Sequence, residues 1–278
     1  MIRGLTRAGL GDVGTDERLI ALAAAEGFGA VDIDAAGLVG RLGAEGVNGL
    51  LRRHGMKIGA IGLPVEWRAG DDEFRAGLAG LTEAAAAARV VGCTSCCTYI
   101  LPSTDHKPAP FMAAATRRLR VCAQILGAYG IRLGLEFVGP HHLRTAWRFP
   151  FIWTMEETLD WIGAIGEPNV GLLLDSFHWH TTGLSALDIE RLKPEQIAHV
   201  HLNDAPAGPV EEARDNDRLY PGEGSIDLAG FLAALNRIGY RGVVSQEVLL
   251  PEAPSEPPER LIARSRAGFD RAFAAAGL

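Results

Sequence analysis

The chain has 278 residues, of which 47% are hydrophobic, and a formal net charge of −7. That length supports one large domain or two small ones around a sizeable core. The acidic balance and the lack of any Lys/Arg block argue against a nucleic-acid surface and give no sign of a membrane surface. Cys93, Cys96, Cys97 and Cys122 crowd into one region without a spread-out disulfide framework, and no apolar stretch near Met1 resembles a signal peptide, so the chain reads as a reduced cytoplasmic protein.

In chain order, a weak strand-like run at Ile2–Ala8 precedes a helix that starts at Thr15 and ends at Gly27 or Gly29. Ala30–Asp34 (AVDID) and Lys57–Leu63 (KIGAIGL) are the next strands. Asp71–Val91 is a helix because its alanines have the best intrinsic propensity and its breakers lie at the margins. Cys93–Ile100 is a fourth strand and Pro108–Tyr129 a helix. Four apolar runs follow, at Ile131–Val138, Val170–Asp175, Ile197–Leu202 and Val243–Leu249. Helices are expected after them at Met155–Ile165, Leu184–Leu192, Ile226–Ile238 and Pro257–Ala275.

Strands that each trail a helix, with no Ser/Gly linker or shift in composition, predict an α/β fold: a single closed (β/α)8 TIM barrel spanning residues 1–278. The rival, a doubly wound open sheet, lacks a Gly-x-Gly-x-x-Gly turn after the first strand. Lys57, Lys107 and Lys193 are the only lysines. None stands near the carboxyl end of a predicted strand, so Schiff-base aldolase chemistry is excluded.

Glu136, Asp175, His201 and Glu247 stand one apiece at the carboxyl ends of the last four strands, the rim where a barrel builds its active site. A single strand-end acid is more often a helix N-cap or a salt-bridge partner. Four together, one of them a histidine on a neighbouring strand, favour one divalent cation: Mn2+, Mg2+, Co2+ or Zn2+. His199 shares the face of His201 but lies deeper, as a core or supporting group. Gly134 beneath Glu136 suits a crowded inward position. The Cys93-x-x-Cys96 spacing imitates a metal pair, but one extended strand points the two thiols to opposite faces. Core filling is the better reading, for Cys97 and Cys122 as well.

The segments Gly134-Leu-Glu136, Leu174-Asp-Ser-Phe-His178, His199-Val-His-Leu-Asn-Asp204, Pro221-Gly-Glu-Gly-Ser-Ile-Asp227 and Gly239-Tyr-Arg-Gly-Val-Val-Ser-Gln-Glu-Val248 resemble the xylose-isomerase-like TIM barrels, the sugar phosphate isomerase/epimerase family. The resemblance covers nearly the whole chain and comes nearest to inosose isomerase relatives. It implies a metal held by Glu136, Asp175, His201 and Glu247, substrate oxygens met by His178 and Arg218, and a homodimer or homotetramer. For His178 the alternative is a surface-loop histidine, and for Arg218 an exposed salt bridge with Asp215 or Asp217. The segment Pro140–Trp153 departs from the family pattern.

Such an ion chelates adjacent oxygens of an α-hydroxyketone, acidifies the carbon-bound proton and stabilises the enediolate. Glu136 and Glu247 are the catalytic candidates, one removing a proton and the other returning it. Trp67 is placed to form a substrate-pocket wall, or else packs under a loop. Glu223 inside the Pro-Gly-Glu-Gly turn would repel a phosphate, which favours an unphosphorylated sugar or polyol. The expected function is a metal-dependent isomerase or epimerase of a small ketose or cyclic polyol ketone. The alternatives are a dehydratase of the inosose or dehydroshikimate type and a non-catalytic sugar-binding barrel. An endonuclease IV-like role would need further metal-binding histidines at the early strand ends.

Overall fold

A computed structural model describes residues 1–278. The first half of the chain runs β1 (Ile2–Leu5), α1 (Asp16–Ala25), β2 (Ala30–Val31), α2 (Ala35–His54), β3 (Lys57–Ile58), β4 (Ile61–Gly62), α3 (Asp71–Val90), β5 (Ser95–Ile100), β6 (Ser103–Thr104) and α4 (Pro108–Ala128). The second half runs β7 (Arg132–Phe137), α5 (His141–Arg144), β8 (Phe149–Pro150), α6 (Met155–Ile165), β9 (Val170–Asp175), α7 (Ser176–Thr181), α8 (Ala186–Glu190), β10 (Ile197–Leu202), α9 (Leu228–Arg237), β11 (Val243–Gln246) and α10 (Pro258–Ala275). No helix is long and apolar enough to cross a membrane.

The main sheet is parallel, in the order β3-β2-β1-β11-β10-β9-β7-β5-β4. Its two outer segments, β3 and β4, are consecutive pieces of the run Lys57–Gly62. The sheet thus returns to its own start, and the nine segments amount to eight strands closed into a TIM barrel. The break between β3 and β4 falls at Gly59 and Ala60, where the Ala60 N–H donates to Asp32 Oδ1 (3.0 Å) instead of to a neighbouring strand.

Local chemistry explains the element ends. Thr154 and Glu157 close a reciprocal capping box at the start of α6, and Gly27, at φ +76°, turns the chain out of α1. Helix α2 packs on the barrel through Leu38, Val47, Leu50 and Leu51 despite its glycines, and bends at Gly43. The helix expected over Leu184–Leu192 is shorter, and α7 precedes it directly at the end of β9. The Pro140–Trp153 segment folds as α5 followed by β8, which pairs antiparallel with β6 above the barrel rim.

Inside the barrel, small residues leave room for polar ones. A Cβ on Gly134 would lie 3.1 Å from Cys97 Sγ and 3.4 Å from the Cβ atoms of Ala198 and Leu173. At the amino-terminal end, Arg132 donates to the carbonyls of Ile197 and Glu195.

Candidate metal centre

Strand register brings the rim groups together. His201 of β10 is paired directly with Asp175 of β9, and Glu136 of β7 with Tyr99 of β5. Glu247 follows β11, whose Ser245 is the register partner of His201. In consequence His201 Nδ1 lies 3.3 Å from Glu247 Oε2, 3.6 Å from Glu136 Oε1 and 3.8 Å from Asp175 Oδ2. One ligand atom from each of these four side chains lies within 4.8 Å of every other. Glu136, His201 and Glu247 line a cavity of about 350 Å3 at the carboxyl ends of the strands, together with Asp32, Cys97 and Tyr99.

The arrangement suits a cation. Glu136 Oε1 and His201 Nδ1 are buried and have no hydrogen-bond partner, an arrangement with a cost in free energy unless something joins them. Five carboxylates (Asp32, Glu136, Asp175, Asp215, Glu247) meet one guanidinium and three imidazoles. Three carboxylate oxygens with one imidazole nitrogen form a donor set for a divalent ion of hard to borderline character.

Asp175 serves two purposes. Its Oδ1 accepts from the Phe177 and His178 amides and caps α7, while Oδ2 faces the cluster. Asn203 Nδ2 donates to both oxygens, at 3.2 and 3.0 Å. The N-cap and the rim position are alternatives in sequence, but here one oxygen caps α7 while the other faces the rim cluster.

Arg218 is 1% exposed, so its ion pairs are not solvent-facing. Nη1 donates to Asp175 Oδ2 and Glu247 Oε2, each at 3.0 Å, and Nη2 to Asp215 Oδ1 at 2.7 Å. Its loop is pinned by Asp204, whose oxygens accept the amides of Ala205, Gly222 and Ile226. Within that loop, Glu223 is held by Arg264.

His178 is likewise buried, on α7 rather than in a surface loop. Its Nδ1 accepts the Gly139 N–H (3.3 Å), and its Nε2 lies 3.4 Å from Arg218 Nη2 and 4.0 Å from Glu136 Oε1. Trp67 is placed elsewhere. It is buried between Phe111 and Trp161, donates to Thr98 Oγ1, and lines a separate aromatic cavity of about 210 Å3 with Trp147 and Phe151 of the inserted segment. Cys97 also departs from the core-filling expectation, since it faces the acidic cavity. Burial keeps its thiol neutral, its pKa raised.

The two glutamates are pushed apart electrostatically. Burial lifts the Glu136 carboxyl above its ordinary range, against an opposing pull from His201. Burial also works against ionisation of Glu247, but His201 and Arg218 outweigh it and hold that carboxyl well below the usual range. Burial disfavours a charged His201, yet Glu247, Asp32 and Glu136 overcome this and raise its pKa well above the ordinary imidazole value.

Sequence reasoning passed over Asp32, Asn203 and Asp215 as site residues. Asp32 lies at the end of the AVDID strand and meets the positional criterion applied to the later strands. Asn203 and Asp215 carry no such signal, because burial and partners alone distinguish them.

Residues 20–271 match the family model described as xylose isomerase-like TIM barrel. The chain belongs to this family. Over its full length it is similar, at 33% identity, to the structure of a xylose isomerase domain protein from Alicyclobacillus acidocaldarius, with a TM-score of 0.92 and 100% of each chain covered. The IOLI protein crystallised with a binding zinc atom shares the fold at 21% identity, with a TM-score of 0.81, 100% of this chain and 98% of that one being covered. Among curated relatives, an inosose isomerase of Bacillus velezensis is 38% identical over 130 residues, 47% of this chain and 44% of the relative. The chain thus matches less than half the length of that relative.

Proposed function

We propose that this chain is a divalent-metal-dependent isomerase or epimerase of a small ketose or a cyclic polyol ketone of the inosose kind. The observation that carries the reading is the convergence of Glu136, Asp175, His201 and Glu247 ligand atoms within 4.8 Å, two of them buried without a partner. Similarity to the inosose isomerase over part of the chain supports the substrate class. The zinc of the IOLI protein, which shares the fold, is in keeping with a metal.

A bound ion would supply Lewis-acid polarisation of a substrate carbonyl and so acidify the neighbouring C–H. The chain's own residues handle the proton. Glu136 and Glu247 form the acid–base pair, one taking the proton from carbon and the other returning it, and His201 and Arg218 favour the ionised form of Glu247 while burial disfavours that of Glu136. His178 and Arg218 orient substrate oxygens at the edge of the site. Their burial and close approach, 3.4 Å between Arg218 Nη2 and His178 Nε2, limit the rotamers available to them.

The test is proton NMR in D2O with Mg2+ or Zn2+ present, screening ketohexoses, ketopentoses, hydroxypyruvate and inososes against the wild-type chain and Glu247→Gln. Metal-dependent deuterium uptake next to the carbonyl, without loss of water and absent in the variant, is the expected result. Uptake accompanied by loss of a hydroxyl would assign a dehydratase instead. A metal-loaded chain that exchanges none of these substrates would remove the substrate assignment.

A further inference from the structure

Asp32 is a carboxylate lining the cavity outside the set Glu136, Asp175, His201 and Glu247, and its surroundings are built to hold it still. Oδ1 accepts the Ala60 N–H at 3.0 Å, and Oδ2 lies 2.7 Å from His199 Nε2 and 3.7 Å from His201 Nε2. The third barrel strand is interrupted where it presents that amide. A Cβ on Gly59 would collide with Asp32 Oδ1, so glycine is what lets the carboxylate lie against the backbone there.

His201 is thereby addressed from both ring nitrogens. Nδ1 faces Glu247, Glu136 and Asp175, whereas Nε2 faces Asp32. A neutral imidazole has one N–H and one lone pair, and a metal takes the lone pair. At 3.7 Å the Asp32 contact is electrostatic rather than a formed hydrogen bond. Once a cation takes the Nδ1 lone pair, the one remaining ring proton is on Nε2, and this fixed anion stands opposite it. A proton on Nδ1 would instead point into the place where the ligand atoms converge.

We propose that Asp32, braced by His199 and the Ala60 amide, is a positioning residue that keeps the His201 proton on Nε2 and so aims the Nδ1 lone pair at the cation. The inference rests on the metal reading above and adds a carboxylate–imidazole–metal relay to it, in which the outer acid sets the orientation and basicity of the ligand.

The test uses zinc alone, in the full chain labelled with 15N-histidine. In the zinc-loaded wild type, long-range 1H–15N spectra should give a protonated Nε2 and a metal-shifted Nδ1 for His201. Zinc affinity, read by competition with a chromophoric chelator, should fall roughly 10–100-fold in Asp32→Ala. It should recover partly in Asp32→Asn, whose amide oxygen still accepts. A merely structural role for Asp32 would not move the nitrogen shifts or produce that recovery.

Several results would overturn the inference while leaving the metal reading intact. These are zinc on Nε2 of His201, equal affinity in the wild type and Asp32→Ala, or a second zinc bound between Asp32, His199 and His201, whose ligand atoms also lie within 4.8 Å of one another. A wild-type chain that binds no zinc overturns both. The wild-type spectrum alone decides the tautomer if Asp32→Ala does not fold.

Discussion

Replacing Arg218 with methionine removes one buried guanidinium and leaves its carboxylates behind. In the folded chain Arg218 meets Asp175 and Glu247 at 3.0 Å and Asp215 at 2.7 Å. Methionine fills much of the same length, so the change is chiefly one of charge. Asp215 can turn to solvent, since its side chain is 24% exposed. Asp175 is fully buried and retains Asn203, the α7 amides and His201 at 3.8 Å, while Glu247 retains His201 at 3.3 Å.

Breaking a buried ion pair from one side costs about 3–5 kcal/mol. For a chain of this size, each kcal/mol moves Tm by roughly 2–4 °C, so the metal-free variant should melt about 6–20 °C below wild type. Burial opposes ionisation of Glu247 and Asp215, but charge partners that include Arg218 depress both pKa values below the ordinary range. A depressed carboxyl pKa contributes stability that is full above the unfolded value, about pH 4, and is lost as pH falls through the folded one. The gap between variant and wild type should therefore be widest near neutrality and narrow on acidification. Saturating zinc should raise the variant's Tm more than the wild type's, because it replaces the missing positive charge. Calorimetry of both chains with chelator and with zinc measures each of these quantities. A metal-free difference within about 2 °C at neutral pH would refute the argument that Arg218 neutralises the site.

Other substitutions test the scaffold. Gly268→Ala in α10 should destabilise, although glycine to alanine inside a helix ordinarily gains up to about 1 kcal/mol. The new Cβ would collide with the Pro221 carbonyl oxygen in the loop carrying Arg218, and a Tm above wild type would contradict that contact. Thr154→Ala opens the capping box of α6 and should cost about 1 kcal/mol in urea unfolding, with no change in zinc affinity. Zinc at 100 times its dissociation constant should stabilise the wild type by roughly 2.7 kcal/mol, and an unchanged Tm would mean that the folded chain binds no ion.

Much of the barrel was legible in sequence because its signals are local. The runs Val170–Asp175 and Ile197–Leu202 were read with their observed bounds, since a continuous apolar run closed by a polar residue has few other interpretations in an α/β chain. The convergence of Glu136, Asp175, His201 and Glu247 at the rim followed from the same logic, because a parallel barrel delivers the last residue of each strand to one rim. Helix α2 was not legible. Gly37, Gly40, Gly43, Gly46 and Gly49 weaken its intrinsic propensity, and only packing of its apolar face on the barrel makes it helical.

What a side chain meets, by contrast, depends on strands far apart in the chain. Sequence alone determined that Glu136, Asp175, His201 and Glu247 stand at strand ends, since that is a property of each segment by itself. Only the tertiary structure decided that Asp32 faces His199 and His201, that Asn203 and Arg218 converge on Asp175, and that Trp67 belongs to an aromatic cluster. Barrel closure, strand register and the loop from Asp204 to Ile226 fix those neighbours, and none of the three is encoded in the spacing of residues along any one element.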